Sequence, residues 1–304
     1  ALERALAEEL GRPVPELLIK LDAYTGFGLG GNKVRKLEYV LSKDRLAGVT
    51  HLVTAGGVQS NHARVTAAAA ARFGLRCVLV VSGDEPADPR GNARLQRMFG
   101  ARVITVASRA ERSATMLQVS EDISASGGAP MVIALGASTP LGALGYVRAA
   151  REFAEQAAIR KLNRTTVFVS SSSCGTLAGL TAGFALAEAP LVDLIGVSAD
   201  TPRDEMLTET RELARGALQL LGWPGDVASQ PLDATDAHIG PGYGLATREA
   251  DRATDLFGRY AGVVLDPTYT SKAAAGMLEW IRTGRVDEEG TVVFWHTGGW
   301  PAAV

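Results

Sequence analysis

The sequence predicts an α/β protein of two domains, with parallel-rich twisted sheets flanked by helices. Three observations predict it. Short, continuous apolar runs rich in β-branched residues recur along the chain, as in strands buried on both faces. Helix-like segments separate most of these runs, and alternating β and α elements imply parallel strands with right-handed crossovers. Nine such runs are many for a single sheet in 304 residues, so two sheets are expected.

In chain order, the first element is an amphipathic helix, with Leu2, Leu6 and Leu10 at four-residue spacing. Its acids and the lack of an apolar block are unlike a signal peptide. Strands are expected at 17–21, 51–55, 77–82, 102–106, 131–135, 166–170, 194–198, 262–265 and 291–295, and helices at 34–43, 63–73, 92–99, 141–156, 177–188 and 271–283. Segment 84–91 reads as a solvated surface loop. Residues 165–187 carry no charge and are long enough to span a bilayer. Four serines and Gly175 interrupt them, so a buried strand, a polar loop and a buried helix fit better than a membrane span.

Composition narrows the function. With 46% hydrophobic residues the chain can bury a sizeable core, and 31 Lys+Arg against 33 Asp+Glu gives a net charge of −2, which argues against a nucleic-acid partner. Two cysteines rule out a disulfide scaffold and point to a reducing, cytoplasmic setting. Four histidines and two cysteines show no metal-ligand spacing, so no metal is expected.

Four segments carry chemistry. The glycine-rich turn Gly26-Phe27-Gly28-Leu29-Gly30-Gly31-Asn32-Lys33 follows a strand and precedes a helix. Its spacing matches a dinucleotide fingerprint, but that motif needs an acid at the end of the next strand, where Ala55-Gly56-Gly57 stands. A P-loop needs Ser or Thr directly after its lysine, and Val34 is there. A third reading lets the glycines pass close to a flat ligand and presents Lys33 as a nucleophilic amine, its pKa depressed by Arg35 and Lys36. A tight turn with a solvated lysine competes with all three. In Gly56-Gly57-Val58-Gln59-Ser60-Asn61-His62, Ser60 and Asn61 open a helix, where amides and short polar side chains suit a carboxylate or simply cap the helix. Ser170-Ser171-Ser172-Ser173-Cys174-Gly175-Thr176 is a strand-to-helix turn whose small residues suit an oxyanion held by amides and hydroxyls, no Lys or Arg lying within it. Cys174 reads as a small filler. The fourth group is Tyr243, Asp266-Pro267-Thr268-Tyr269-Thr270-Ser271-Lys272 and His296-Thr297-Gly298-Gly299-Trp300, the latter two closing apolar strands.

Together GGNKVRKLEYVL (30–41), GGVQSNH (56–62), ASTPLGALGYV (137–147), the 170–176 loop, GPGYG (240–244), LDPTYT (265–270) and HTGG (296–299) resemble the family of D-cysteine desulfhydrases and 1-aminocyclopropane-1-carboxylate (ACC) deaminases, from about Pro13 onward. The resemblance implies pyridoxal phosphate as cofactor, the tryptophan-synthase-β fold type (fold type II) and a homodimer. It implies a large domain of residues 1–36 and 147–304 and a smaller inserted domain of residues 37–146. By the same resemblance, Lys33 carries the cofactor as an imine and later acts as base. Ser172, Ser173, Cys174, Gly175 and Thr176 form the phosphate loop. Asn61 lies near the cofactor's 3′-oxygen, and Thr297 meets its pyridine nitrogen. Gln59, Ser60 and Asn61 bracket the substrate carboxylate, and Tyr243 and Tyr269 face the substrate.

ACC deaminases resemble this chain but place Glu and Leu where Thr270 and Thr297 stand, so the desulfhydrase branch is the nearer. The expected activity is β-elimination from a cysteine-like amino acid to pyruvate, ammonia and sulfide. The alternatives are ACC ring opening, elimination from L-cysteate or another β-substituted alanine, β-replacement and racemisation. A non-catalytic homologue and a dinucleotide oxidoreductase are the readings from other classes. The chain departs from the family in its serine-rich phosphate loop, in Val65, in Ser271 before Lys272, in Trp300 before Pro301 and in the 302–304 tail. Trp300 closes a strand near the expected ring site and would reshape the substrate pocket, or pack in the core or an interface.

Overall fold

A computed structural model describes residues 1–83, 87–187 and 192–303. The chain runs α1 (Leu2–Leu10), β1 (Glu16–Leu21), α2 (Asn32–Val40), β2 (His51–Gly57), α3 (Asn61–Phe73), β3 (Arg76–Ser82), α4 (Gly91–Met98), β4 (Arg102–Val106), α5 (Glu111–Ala125) and β5 (Pro130–Val132). It continues through α6 (Pro140–Arg160), β6 (Thr165–Ser171), α7 (Gly175–Leu186), β7 (Val192–Ser198), α8 (Arg203–Leu220), β8 (Leu232–Thr235), α9 (Arg248–Ala261), α10 (Thr270–Arg282) and β9 (Thr291–His296).

Two sheets result, as the sequence predicts, and the strand pairs in both are parallel. The larger has the order β1-β9-β6-β7-β8, and the smaller β4-β3-β2-β5. Period-two alternation gives each face of the larger sheet its own core. Phe168, Ile195 and Phe294 pack on Phe257 and Trp280 of α9 and α10. Val167, Val169 and Trp295 face the other way, onto Phe153 and Phe184 of α6 and α7. In the smaller sheet Leu52, Leu79 and Val81 meet the alanine-rich α3, while Val53, Val78 and Val80 meet Met116 of α5. The helix starts obey local chemistry. Ser60 accepts from the Ala63 amide at 3.2 Å, Thr139 from Gly142 at 3.1 Å and Thr247 from Ala250 at 3.1 Å, each satisfying an amide that the helix leaves orphaned.

Two expectations are corrected. Residues 262–265 are not a strand: α9 ends at Gly262 in the left-handed region (φ 64°), and an extended segment follows without ladder pairing. The run is apolar because Val263 and Leu265 are buried against α9 and α10, not because it pairs. The sequence also hides β8, a four-residue edge strand with polar Asp233 and Thr235 and little periodic signal. The uncharged stretch from Thr165 resolves into β6, a loop and α7 as expected, and among the described residues no helix is long and apolar enough to cross a membrane. Part of the expected 84–91 loop (84–86) and the expected helix end at 188 lie outside the described residues.

The packing of α2, α6 and α7 positions the site. Gly145 of α6 lies so close to the Arg35 carbonyl, and Gly179 of α7 so close to the Ala143 carbonyl, that a Cβ at either would collide with backbone. This close approach brings the start of α2 against the start of α7. The backbone amide of Asn32 also donates to the Thr297 carbonyl at 2.8 Å, tying α2 to the end of β9.

Candidate active site

The turns after β2, β6 and β9 open onto one cavity of about 260 Å³, as ligand sites of open parallel sheets do. Lys33, Ser60, Asn61, Ser172, Ser173, Cys174, Gly175, Thr176, Tyr243, Tyr269 and Thr297 all line it. Two expected residues do not. Gln59 turns to α4, where its Oε1 accepts from the Asn92 amide at 2.9 Å and its Nε2 donates to the Arg90 carbonyl at 3.1 Å. It lines only the adjoining cleft. Trp300 opens a 3-10 turn (Trp300–Ala302) and is absent from the cavity wall. The family pattern of small residues gave no signal of where that turn would carry the ring.

Lys33 sits in the first turn of α2, half-buried, its Nζ donating to Asn32 Oδ1 at 3.0 Å. Burial lowers its amine to about 8; Asp266 opposes the shift and Arg64 adds to it. The cause differs from the expected repulsion by Arg35 and Lys36. Arg35 points to Asp22 (2.8 Å) and Glu152 (3.0 Å) instead. The glycines of the 26–31 turn do not line the cavity either. Their role is backbone packing: Arg64 donates to the carbonyls of Gly28 and Gly30, and the turn presents Asn32 and Lys33.

The 170–176 loop ends at Cys174, in the left-handed region (φ 56°), which turns the chain into α7. Its thiol is buried against the Met206 carbonyl and burial raises its pKa, so it acts as the filler the sequence suggested. The loop holds no Lys or Arg of its own, as the sequence shows, but α2 brings a cation beside it. Lys36, one turn after Lys33 and 1% exposed, donates to Ser138 Oγ at 2.7 Å, and a Cβ on Gly175 would lie 2.7 Å from its Nζ. Ser138 also donates to Ser173 Oγ (2.8 Å) and accepts from the Gly175 amide (3.3 Å). Among the described residues Lys36 has no carboxylate partner. Burial, with Lys33 adding repulsion, pulls its pKa well down. A buried cation beside the positive end of a helix is a strong demand for an anion.

On the opposite wall the Tyr243 and Tyr269 hydroxyls hydrogen-bond each other, rings edge-to-face at 5.6 Å. Burial raises both phenol pKa values, so both stay protonated at neutral pH. Asp266 fixes Tyr269: its carboxylate accepts from the amides of Thr268 (3.0 Å), Tyr269 (3.0 Å) and Thr270 (2.9 Å). Thr270 donates its hydroxyl to the same carboxylate at 2.7 Å and is committed there, whereas Thr297 faces the cavity and shares a 2.9 Å hydrogen bond with Ser170. His62 is buried with Nε2 against Thr54 Oγ1 (2.9 Å), and burial together with Lys33 and Lys36 keeps it neutral.

The chain matches the model of the pyridoxal-phosphate-dependent enzyme family over residues 2–298. It belongs to that family. The D-cysteine desulfhydrase of Yersinia pestis (strain Pestoides F) is 37% identical over 302 residues, covering 98% of this chain and 89% of the relative. The crystal structure of an ACC deaminase homologue superposes with a TM-score of 0.86 at 33% identity, covering 99% of this chain and 88% of that one. A pyridoxal 5′-phosphate-dependent aspartate racemase shares the fold alone, at a TM-score of 0.67 and 16% identity over 98% of this chain and 87% of that one. The protein is thus a pyridoxal-phosphate-dependent enzyme of fold type II, as the sequence resemblance implied.

The cavity fits that cofactor on its own chemistry. The amides of α7, the hydroxyls of the serine-rich loop and the unpaired Lys36 suit a phosphate ester. Lys33 is an amine with a lowered pKa in the same cavity. Sequence reasoning missed Lys36, Ser138, Asp266, Asn32, Arg109, Arg112 and Asp200. Lys36 was visible as a lysine one helical turn beyond Lys33, but nothing in the sequence shows that α2 packs against α7. Arg109, Arg112 and Asp200 carried no motif.

Proposed function

We propose that the protein is a lyase that catalyses β-elimination from a cysteine-like amino acid, releasing pyruvate, ammonia and sulfide. The observation that carries this reading is the convergence of the Lys33 amine, the start of α7, backed by the Lys36 ammonium beside Gly175, and the hydrogen-bonded tyrosine pair on one cavity. The similarity to D-cysteine desulfhydrases supports the substrate class.

In this reading Lys33 would anchor the cofactor's aldehyde carbon, Lys36 with residues 172–176 would hold its phosphate, Asn61 would border its 3′-oxygen, and the Thr297 hydroxyl would offer the pyridine nitrogen a neutral hydrogen bond. Pyridoxal phosphate, when bound, would supply an aldehyde for an amine and an electron sink for the bonds at Cα. The α3 amides with Ser60 and Asn61 orient the carboxylate. Once released by the substrate amine, Lys33 takes the Cα proton; at about 8 its pKa leaves a useful fraction unprotonated near neutral pH. Tyr269, backed by Tyr243, donates a proton toward the group leaving Cβ.

We read residues 37–146 as a unit inserted between 1–36 and 147–304, supported by the confinement of β2–β5 to that span. We further infer a homodimer in a reducing cytoplasm; the two buried free cysteines are compatible with the latter. The deciding experiment measures pyruvate, ammonia and sulfide release from D- and L-cysteine, D-serine, cysteate and ACC. Absence of 2-oxo acid from all of them defeats the lyase reading; 2-oxobutyrate from ACC alone would make the enzyme a ring-opening deaminase.

A further inference from the structure

We propose that Arg112, with Arg109 beside it, recognises an anionic group on the β carbon of the amino-acid substrate, making this a lyase for substrates such as sulfonates or phosphate esters. The inference rests on the elimination chemistry of the lyase reading above and differs from it in the leaving group, an anionic group in place of sulfide.

Arg112 stands in the first turn of α5 and Arg109 just before it, and both reach the cavity from the side of the smaller sheet. Arg112 is 8% exposed. Its Nη2 donates to Ser82 Oγ, and its Nε is buried without a partner. Among the described residues no carboxylate lies within ion-pair distance of it. The nearest acid that acts on it, Asp200, is engaged at 2.8 Å by Arg109, which also lies 4.3 Å from the centre of the Tyr243 ring. Arg109 therefore takes Asp200, and Arg112 is left without a carboxylate among the described residues. Burying an unpaired guanidinium is costly unless an anion completes it. Burial, then Arg109, lower the Arg112 pKa, in keeping with that deficit.

Position identifies the group. Arg112 lines the cavity with Arg109, Asp200 and the tyrosine pair, whereas Lys36 lies beside Ser138 and Gly175. The two cations, neither with a carboxylate partner among the described residues, therefore stand at different places, and Lys36, beside the start of α7, answers the cofactor's phosphate. A Cβ built on Gly57 would lie 3.5 Å from the Tyr243 ring and 3.9 Å from Arg112 Nη2, placing the guanidinium beside the tyrosine pair. The start of α3 already offers amides to an α-carboxylate. What remains beside the tyrosines is the substituent on Cβ. In the elimination the Cα–H bond breaks with the proton passing to Lys33, and the Cβ–X bond breaks with X keeping the electron pair. For a sulfonate, X departs as sulfite. Water then converts the enamine product to pyruvate and ammonia, with no change in overall oxidation level.

The test uses holoenzyme and compares cysteate and O-phosphoserine, both enantiomers of each, with neutral β-chloroalanine. The readouts are pyruvate release and, independently of turnover, dissociation constants from the shift of the visible cofactor band. In Arg112→Gln the preference for the anionic over the neutral compound falls about 10- to 100-fold, mainly through KM or the dissociation constant. Arg112→Lys, which keeps the charge, retains more of the preference than Arg112→Gln, and an unaltered cofactor band shows that each variant is folded. A preference within threefold of the parent's in Arg112→Gln, whether because all compounds weaken together or because none does, overturns the proposal. So does a parent enzyme that neither binds nor turns over any anionic compound. Failure of β-chloroalanine to yield pyruvate would instead count against the lyase reading, while the ratio of dissociation constants would still decide the role of Arg112.

Discussion

Replacing Lys36 by methionine separates the cofactor's phosphate site from the stability of the fold. The ammonium is 1% exposed, donates to Ser138 Oγ at 2.7 Å and would stand 2.7 Å from a Cβ on Gly175, at the first residue of α7. A hydrogen bond from a charged donor contributes about 1.5–3 kcal/mol. At about 1.4 kcal/mol per decade, its loss weakens binding of pyridoxal phosphate roughly 10- to 150-fold. The cofactor-free protein responds in the opposite direction. Burial holds the folded pKa of Lys36 well below its ordinary 10.5, so between those two values the unfolded chain binds the proton that the folded chain lacks. Stability from this residue therefore rises with pH across that window, and the parent carries its full penalty below the lowered value. The methionine variant, close to isosteric, should melt at or above the parent near neutral pH, and the difference should vanish as pH approaches 10.5. The assay strips the cofactor, titrates it back while following the visible band, and records thermal melts from pH 6 upward (roughly one unit apart). A cofactor dissociation constant within threefold of the parent's would refute the assignment of Lys36 to the phosphate. A large loss of cofactor-free stability would refute the argument that the buried ammonium lacks its counter-ion.

Three further outcomes follow from the same geometry. Lys33→Ala should lose the visible cofactor band, and in the parent the rate of cofactor capture should rise with pH and level off above an apparent pKa near 8, because the unprotonated amine is the reactive form. A capture rate flat from pH 6 to about 9 would count against it. Lys272→Met removes the buried ammonium that holds the carbonyls of Ile239 (2.7 Å) and Gly242 (2.9 Å) just before Tyr243; kcat should fall about 10- to 100-fold with cofactor content unchanged, as steady-state kinetics would show. Asp22→Ala removes the acceptor of four donor atoms, Tyr146 Oη (2.6 Å), Trp295 Nε1 (2.9 Å) and Arg35 Nε (3.0 Å) and Nη2 (2.8 Å), and should cost about 3–5 kcal/mol, read as a lower urea midpoint.

The parts of the site that were legible in the sequence are those built from neighbours in the chain. Ser60 opens α3 because a serine before a helix satisfies its own first turn, and the 170–176 loop announces itself because a serine-rich turn follows an apolar strand. Asp266 was written in LDPTYT but had no assigned role, since only the folded turn shows three amides and a hydroxyl aimed at its carboxylate. Gln59 and Trp300 belong to recognisable motifs, yet α4 claims the first, and a 3-10 turn carries the second away from the cavity wall.

The sequence by itself determined the alternation of strand and helix, the parallel sheets and the lysine and loop motifs, because periodicity, capping and turn chemistry act over a few residues. Only the tertiary structure decided which cations remain without a partner. Arg35 is neutralised by Asp22 and Glu152, residues 13 and 117 positions away, whereas Lys36, its immediate neighbour, meets a serine hydroxyl and no carboxylate among the described residues. Arg109 finds Asp200 across the cavity and Arg112 does not. Charge pairing acts through space at a few ångströms in a medium that excludes water, so it depends on where the chain returns, and that is set by the packing of α2, α6 and α7 and by the placing of α5 at the cavity.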